Sequence, residues 1–198
     1  MENEKFYIMQ ETNSGFAKAI SKNNERDVFV CPECEAVIVT RKSKMNVYFE
    51  GNKPGDYYRF TKWNIISGGL QDALKRENIT GYKLENLNFQ GWFDKKGNAV
   101  SIMADNLKEI VVTGRGGVLC HVDGRPVNRC KLCNALDYED SKTINGISVN
   151  LGEWDKSDIF YFENWEGNII VTQKVKDIIE NGNFVNVQFI NIKDYKFE

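Results

Sequence analysis

The clearest hydrophobic pattern lies near the end of the chain and predicts a strand, a helix and a second strand. Residues 168–171 form a short apolar run, and Thr172 follows as a side chain suited to cap a helix. The next segment has one apolar face at helical spacing and closes on a glycine, at Val175, Ile178, Ile179 and Gly182. Residues 184–192 then alternate between apolar and polar side chains, which predicts a strand with one buried face.

The same order of elements occurs 105 positions earlier in the chain, where residues 64–66 lead into a helix and then a strand. The corresponding positions are Ser67 and Thr172, Leu70 and Val175, Ala73 and Ile178, Leu74 and Ile179, Ile79 and Phe184, Tyr82 and Val187, and Leu84 and Phe189. This correspondence favours two related halves. The alternative is that two short amphipathic units coincide by chance.

The remaining pattern is richer in strands than in helices. We expect strands at residues 36–40, 44–49, 100–103, 110–113 and 118–122. Residues 14–22 predict one short helix, with Phe16, Ala19 and Ile20 facing inward. The Gly-Arg-Gly-Gly segment at residues 114–117 is followed by strand-like sequence and not by a helix, so we interpret it as a hairpin turn and not as a phosphate loop.

The composition is that of a globular protein of one domain, or of two small lobes sharing a core. The chain has 198 residues, of which 41% are hydrophobic and 27% charged. Its apolar runs are too short for a membrane helix, and the N-terminus lacks the basic and apolar regions of a signal peptide. We therefore expect a cytoplasmic protein.

Four of the five cysteines form two pairs of identical spacing, Cys31 with Cys34 and Cys130 with Cys133. Two residues between cysteines let a tight turn, or knuckle, direct both thiolates at one centre, and two knuckles complete a four-sulfur zinc site. Such a closed site is structural and leaves no position for a catalytic water. The alternatives are buried free thiols or two redox pairs, but a redox pair is expected at the start of a helix, and both pairs precede non-helical sequence.

No catalytic arrangement is recognisable, so we expect a protein that is not an enzyme. The only histidine, His121, stands in a strand pattern beside the fifth cysteine, Cys120, without a nucleophile motif. We expect this strand to bury one of the two side chains, since the paired cysteines already satisfy zinc. An enzyme using paired carboxylates stays open, because sequence does not tell which acids face each other.

The charge is unevenly distributed although the net charge is only −2. Residues 134–198 contain 12 acidic and 6 basic side chains, and residues 153–166 combine acids with aromatics. Exposed aromatic anchors and acids are typical of an interface for a basic partner. The candidate partner-binding residues are Trp154, Asp155, Asp158, Glu163, Trp165 and Glu166. The alternative is a hairpin whose aromatics fill the core while its acids are solvated.

These inferences combine into an α+β fold of two similar strand-helix-strand halves with antiparallel sheet elements. The lobes would span residues 1–105 and 106–198 and would be joined by one zinc ion at Cys31, Cys34, Cys130 and Cys133.

The order of these motifs resembles the double-CxxCG immunity proteins of bacterial polymorphic toxin systems. The resemblance covers most of the chain: the two knuckles, Ile79-Thr80-Gly81 between them, and the ending from Asp158-Ile159-Phe160 through Gly167 to Phe189. It implies a zinc-containing antitoxin that binds a cognate toxin domain and neutralises it by occlusion, without a membrane, nucleic-acid or small-molecule partner.

The sequence departs from that family where a glycine should follow each knuckle, since Glu35 and Asn134 stand there. Asparagine tolerates the left-handed backbone often needed at this position and glutamate tolerates it poorly, so the first knuckle is expected to turn differently.

The main alternative function is a zinc-ribbon nucleic-acid-binding or regulatory protein. Such a protein should display clustered basic residues with interleaved aromatics, and only residues 41–44 offer a basic cluster.

Overall fold

The structure is a computed structural model that describes residues 4–12, 15–102 and 106–197. Its strands are β1 (Phe6–Gln10), β2 (Lys18–Ser21), β3 (Arg26–Val30), β4 (Val37–Arg41), β5 (Asn46–Glu50), β6 (Tyr57–Phe60), β7 (Trp63–Ile66), β8 (Tyr82–Asn86), β9 (Asn88–Phe93), β10 (Lys108–Val112), β11 (Gly114–Arg115), β12 (Cys120–His121), β13 (Ile147–Ser148), β14 (Ile159–Phe162), β15 (Trp165–Thr172) and β16 (Gln188–Asn191). The helices are α1 (Gly68–Arg76), α2 (Tyr138–Ser141), α3 (Gln173–Asn181) and a 3-10 turn at Ile192–Asp194. No α-helix in the described part of the chain is both long and apolar enough to cross a lipid bilayer.

Two sheets with the same internal connectivity form the body of the molecule, which is of the predicted sheet-rich α+β kind. The four-stranded sheet has the order β6-β7-β10-β8, and the five-stranded sheet has the order β11-β14-β15-β1-β16. In each sheet an antiparallel hairpin (β6 and β7, or β14 and β15) is followed by a helix. This helix leads to a strand that is parallel to the second hairpin strand but is not its neighbour, because one strand position lies between them. The position left between them is filled by an antiparallel strand from elsewhere in the chain.

Each inserted strand comes from the other side of the predicted boundary at residue 105. β1, from the start of the chain, lies between β15 and β16, and β10 lies between β7 and β8. The lobes expected at residues 1–105 and 106–198 are therefore not separate sheets. Each sheet needs one strand from the other side of the boundary.

Both predicted long helices form and pack on a shared core. Ser67 caps α1 as expected, because its Oγ accepts a hydrogen bond from the N–H of Leu70 at 3.2 Å. Thr172 precedes α3, but its hydroxyl donates to Asp158 at 3.3 Å and makes no cap bond. Leu70, Leu74, Val175 and Ile179 are buried in one cluster, so the apolar faces of the two helices meet in the same core.

Smaller sheets extend from this body. β2, β5 and β9 form a three-stranded sheet, β12 pairs with β13, and β3 pairs only with β4 in the described residues. The predicted helix at 14–22 is wrong for its described part, since Lys18–Ser21 pairs with β5 and buries Ala17 and Ala19 at alternate positions. Ser14 lies outside the described residues. Pairing with a neighbouring strand overrides the local helical spacing.

Three further expectations differ from the structure. Gly114 and Arg115 do not form a hairpin turn; they form β11, a short strand parallel to β14, as the chain passes from one main sheet to the other. Asn186 has a left-handed φ of 62°, so the strand predicted at 184–192 is regular only at Gln188–Asn191. Residues 100–102 form no strand, and Met103 lies outside the described residues.

Candidate metal centre

The first knuckle is the tip of the β3–β4 hairpin. The N–H of Cys31 donates to the carbonyl of Ala36 at 3.0 Å, and the N–H of Glu35 donates back to the carbonyl of Cys31 at 2.9 Å. Glu35 adopts a left-handed φ of 60°. The expectation that glutamate would make this knuckle turn differently is therefore wrong, because the hydrogen-bonded turn holds the residue in an unfavourable conformation.

The second knuckle repeats the first knuckle bond for bond. The N–H of Cys130 donates to the carbonyl of Ala135 at 2.8 Å, and the N–H of Asn134 donates to the carbonyl of Cys130 at 3.0 Å. Asn134 has a φ of 66°, and a β-bridge between Arg129 and Leu136 closes the loop as the last pair of β3 and β4 does in the first knuckle. The two turns therefore share the backbone conformation of a CxxC knuckle.

The fold brings the two knuckles face to face. The four sulfur atoms of Cys31, Cys34, Cys130 and Cys133 all lie within 4.8 Å of one another. The Sγ of Cys31 is 3.8 Å from that of Cys130, and the Sγ of Cys34 is 3.4 Å from that of Cys133. A tetrahedral shell with zinc–sulfur bonds of about 2.3 Å has sulfur–sulfur distances of about 3.8 Å. The donor set and its spacing therefore fit a tetrahedral metal ion.

The environment of the sulfurs also favours a cation. Burial raises the pKa of Cys31, but hydrogen bonds from the backbone of Cys34 and Glu33 outweigh burial and bring this pKa down to about 7. A hydrogen bond from the backbone of Ala36 lowers the pKa of Cys34, but the neighbouring thiol of Cys133 opposes it and the net result is a pKa of about 12. Thiolates this close repel one another, so all four ionise together only around a positive ion.

The redox interpretation of the cysteine pairs receives less support from their surroundings. No described helix begins at either pair, because the first lies in a hairpin turn and the second in a bridged loop. A lowered thiol pKa in redox motifs commonly depends on a helix N-terminus.

Cys120 and His121 lie outside the four-sulfur cluster. Both are buried, although only one was expected to be, and Cys120 donates its thiol hydrogen bond to the carbonyl of Val118 at 3.4 Å. The Nε2 atom of His121 lies 3.2 Å from a carboxylate oxygen of Asp140. Neither residue is placed to bind the same ion.

Asp140 supports the second knuckle, and sequence reasoning missed it. Its carboxylate accepts a hydrogen bond from the N–H of Asn128 at 2.7 Å, two residues before Cys130, and pairs with Arg125 at 3.1 Å. The Asn128 hydrogen bond is the main reason why the pKa of Asp140 lies below its usual value. Asp140 lies in α2, three positions after Asp137, the N-cap residue of that helix. The sequence alone does not show that the Asp140 side chain faces the knuckle.

The two predicted aromatic anchors of the acidic segment are not on the surface. Trp154 is 7% exposed and Trp165 is 9% exposed, and both pack in a core cluster with Phe6 and Phe160. The prediction that these two side chains are exposed anchors is therefore wrong. The alternative of a hairpin holds for its aromatics, which fill the core, but not for all of its acids, which were expected to be solvated.

The four acids among the candidate partner-binding residues separate into two groups. The Asp155 carboxylate accepts from the N–H of Arg115 at 2.9 Å, and the Asp158 carboxylate accepts from the N–H and hydroxyl of Thr80 at 3.0 and 2.9 Å. These two aspartates hold the chain together. Glu163 and Glu166 are exposed, and they alone of the six candidates present a charge that is free of backbone hydrogen bonds in the described structure.

Comparison of the chain with protein-family models and with curated proteins finds no match to either.

Proposed function

We propose that Cys31, Cys34, Cys130 and Cys133 bind one structural zinc ion. The observation that supports this most is the convergence of four sulfurs within 4.8 Å from two turns of identical hydrogen bonding. All four positions of a tetrahedral shell are filled by sulfur, so the ion would hold no water and would take no part in catalysis. Zinc would instead close a loop of 99 residues between Cys31 and Cys130 and thereby stabilise the fold.

We also propose that the chain consists of two pseudo-repeated halves that exchange their first strands. The shared connectivity of the two main sheets supports this proposal, as do the matching knuckles. In this view β1 and β10 are equivalent strands, each inserted into the sheet of the other half. The zinc ion and the exchanged strands would then join the same two halves.

We propose that the protein is a non-catalytic immunity protein that binds a cognate bacterial toxin domain in the cytoplasm and occludes it stoichiometrically. The support is the order of the two CxxC knuckles and the strand-helix-strand ending, which resembles the double-CxxCG immunity proteins. The four-cysteine centre carries the proposal, because it gives that order of motifs one physical purpose.

Co-expression with a toxin domain, sought among the products of the neighbouring genes, tests the proposed function. We expect the chain to restore growth of cells that produce the toxin, and the purified proteins to elute together as a 1:1 complex in size-exclusion chromatography. A chain that neither restores growth nor binds the toxin domain would contradict the proposal.

The nucleic-acid alternative has less support from the basic cluster at residues 41–44. Arg41 forms a buried ion pair with Glu109 at 2.5 Å, and Lys42 pairs with Asp27 at 2.6 Å. These partners compete with phosphate for both cations. Salt-dependent binding to DNA or RNA would nevertheless favour the alternative.

A further inference from the structure

The β3–β4 hairpin projects from the body as an arm, residues 26–41, that is fixed at both ends. At its base the guanidinium groups of Arg26 and Arg41 stack on the ring of Trp63, at 5.7 and 5.1 Å from the ring centre. Arg41 also forms the buried ion pair with Glu109. At its tip lies the first knuckle, which faces the second. The arm is therefore held in place although only two strands build it.

One face of this arm is an exposed wall of valines. Val28 pairs with Val39 and Val30 pairs with Val37 across the two strands, so the four side chains share one face. Val28, Val30 and Val37 are 60%, 56% and 62% exposed. A contiguous apolar face on a rigid, two-stranded element is unusual for a surface without a partner.

A groove of about 540 Å³ separates this wall from the body of the molecule. Val37 and Val39 line it on the arm side. Opposite them are Cys133 of the second knuckle, Glu163 in the turn between β14 and β15, and Glu166 at the start of β15. The groove therefore places an apolar wall beside the two acids of the predicted interface that remain free of backbone hydrogen bonds.

Two basic and two acidic side chains line the groove. Lys62 lines it and pairs with Glu166 at 3.6 Å, and Arg26 lies over the ring of Trp63. Glu163 has no ion pair among the described residues. Lys62 is therefore paired and Arg26 is held at the base of the arm, which leaves Glu163 as the acid of the groove that is available to a basic side chain.

We propose that this groove binds an extended segment of the partner protein in which apolar side chains alternate with lysine or arginine. The apolar side chains would cover the valine wall, and a basic side chain would pair with Glu163. The inference rests on the proposed function for the identity of the partner, a toxin domain. The groove itself rests on exposure, charge and geometry alone.

A synthetic peptide of about seven residues tests the groove without the toxin, since that length spans the strands of the arm. The probe alternates lysine with valine, and two matched peptides replace every lysine by glutamate or every valine by serine. We expect the lysine–valine peptide to bind at least about 10-fold more tightly than either of the others in calorimetric titration of the zinc-loaded protein. Equal affinities, or no binding of the lysine–valine peptide, would overturn the proposal.

Variants locate the binding on the arm. Val28→Ser combined with Val37→Ser, and separately Glu163→Lys, should each weaken peptide binding by about 10-fold or more. Leu151→Ser removes an equally exposed apolar side chain elsewhere, 50% exposed, and should leave the affinity unchanged. An equal loss in Leu151→Ser would overturn the proposal. A dimer of the free chain that the valine substitutions dissociate would also overturn it, because the groove would then bind a second copy.

Growth restoration by the wild-type chain and by the groove variant, taken together with peptide binding, shows whether the groove or the immunity function is the proposal that fails. If the wild-type chain restores growth and the combined Val28, Val37 and Glu163 variant restores it equally, the groove is the wrong surface and the immunity function stands. If the peptide binds as expected and the wild-type chain neither restores growth nor binds the toxin, the groove stands and the immunity function fails.

Discussion

The Sγ atoms of Cys31 and Cys130 lie 3.8 Å apart although 99 positions separate the two residues in the chain. A contact of this range closes the middle of the chain, residues 31–130, into one loop. Its physical effect on stability depends on what holds the sulfurs together, which makes the metal content the first quantity to measure.

We expect protein purified without chelator to contain about one zinc ion per chain, measured by elemental mass spectrometry. Replacing Cys130 and Cys133 together by serine should remove the zinc and lower the melting temperature by about 10 °C or more, because structural zinc contributes its binding energy to folding. The control is Cys120→Ser, which changes the cysteine outside the cluster and should keep the zinc. Zinc retained in the double variant would contradict the assignment.

The proposed exchange of β1 and β10 predicts that neither half folds alone. We expect separately expressed fragments 1–105 and 106–198 to lack a cooperative unfolding transition, because each sheet would miss its inner strand. Mixing the fragments should restore the transition, followed by circular dichroism.

The matched control for this experiment carries Ile8→Asp in the first fragment. Ile8 is fully buried in β1 against the second half, so a charge there should prevent the fragments from associating. Independent folding of either fragment would contradict the exchange as a requirement for stability.

Alanine substitutions at two glycines with similar positive φ angles distinguish the cost of backbone strain from the cost of a steric clash. Gly81 has a φ of +88° and Gly97 a φ of +82°. A Cβ at Gly81 would collide with the carbonyl oxygen of Ile159, whereas a Cβ at Gly97 has nothing within 4 Å. Gly97→Ala should therefore cost only the backbone strain, about 1 kcal/mol, and Gly81→Ala about 3 kcal/mol or more in the free energy of unfolding. Similar costs in urea denaturation would contradict the close approach of these two segments.

The Arg41–Glu109 ion pair should contribute far more to stability than the exposed pair on the same arm. Burial raises the pKa of Glu109 even though Arg41 donates to it, so the carboxylate depends on its partner for its charge. Glu109→Ala leaves the buried guanidinium unpaired and should cost about 3 kcal/mol in the free energy of unfolding.

The control for Glu109→Ala is Asp27→Ala, which breaks the exposed ion pair with Lys42 and should cost less than about 1 kcal/mol. The two variants are compared by denaturant titration. A cost for Asp27→Ala as large as that for Glu109→Ala would contradict the role of burial.

Local chemistry allowed several features to be predicted from the sequence. Ser67 and the apolar face of α1 are a short-range pattern, and the helix begins where that pattern places it. The two CxxC spacings likewise specify tight turns whose hydrogen bonds are formed within six residues. Such elements are predictable because the groups that form them are neighbours in the chain.

The same reasoning failed where a distant strand decides the outcome. Residues 18–21 have helical spacing but form a strand because β5 lies beside them. Trp154 and Trp165 occur among exposed acids, and only the packing of Phe6 and Phe160 against Trp154 shows that this face of the hairpin points inward.

By itself the sequence determined the secondary elements with strong local periodicity and the two CxxC spacings whose four sulfur atoms converge in the structure. Only the tertiary structure decided that β1 lies between β15 and β16 and β10 between β7 and β8, that Asp155 and Asp158 hold the chain together, and that Glu163 and Glu166 face a valine-lined groove. The reason is physical. Periodicity records which face of an element is buried, whereas the neighbour that buries it is chosen by contacts between residues more than a hundred positions apart.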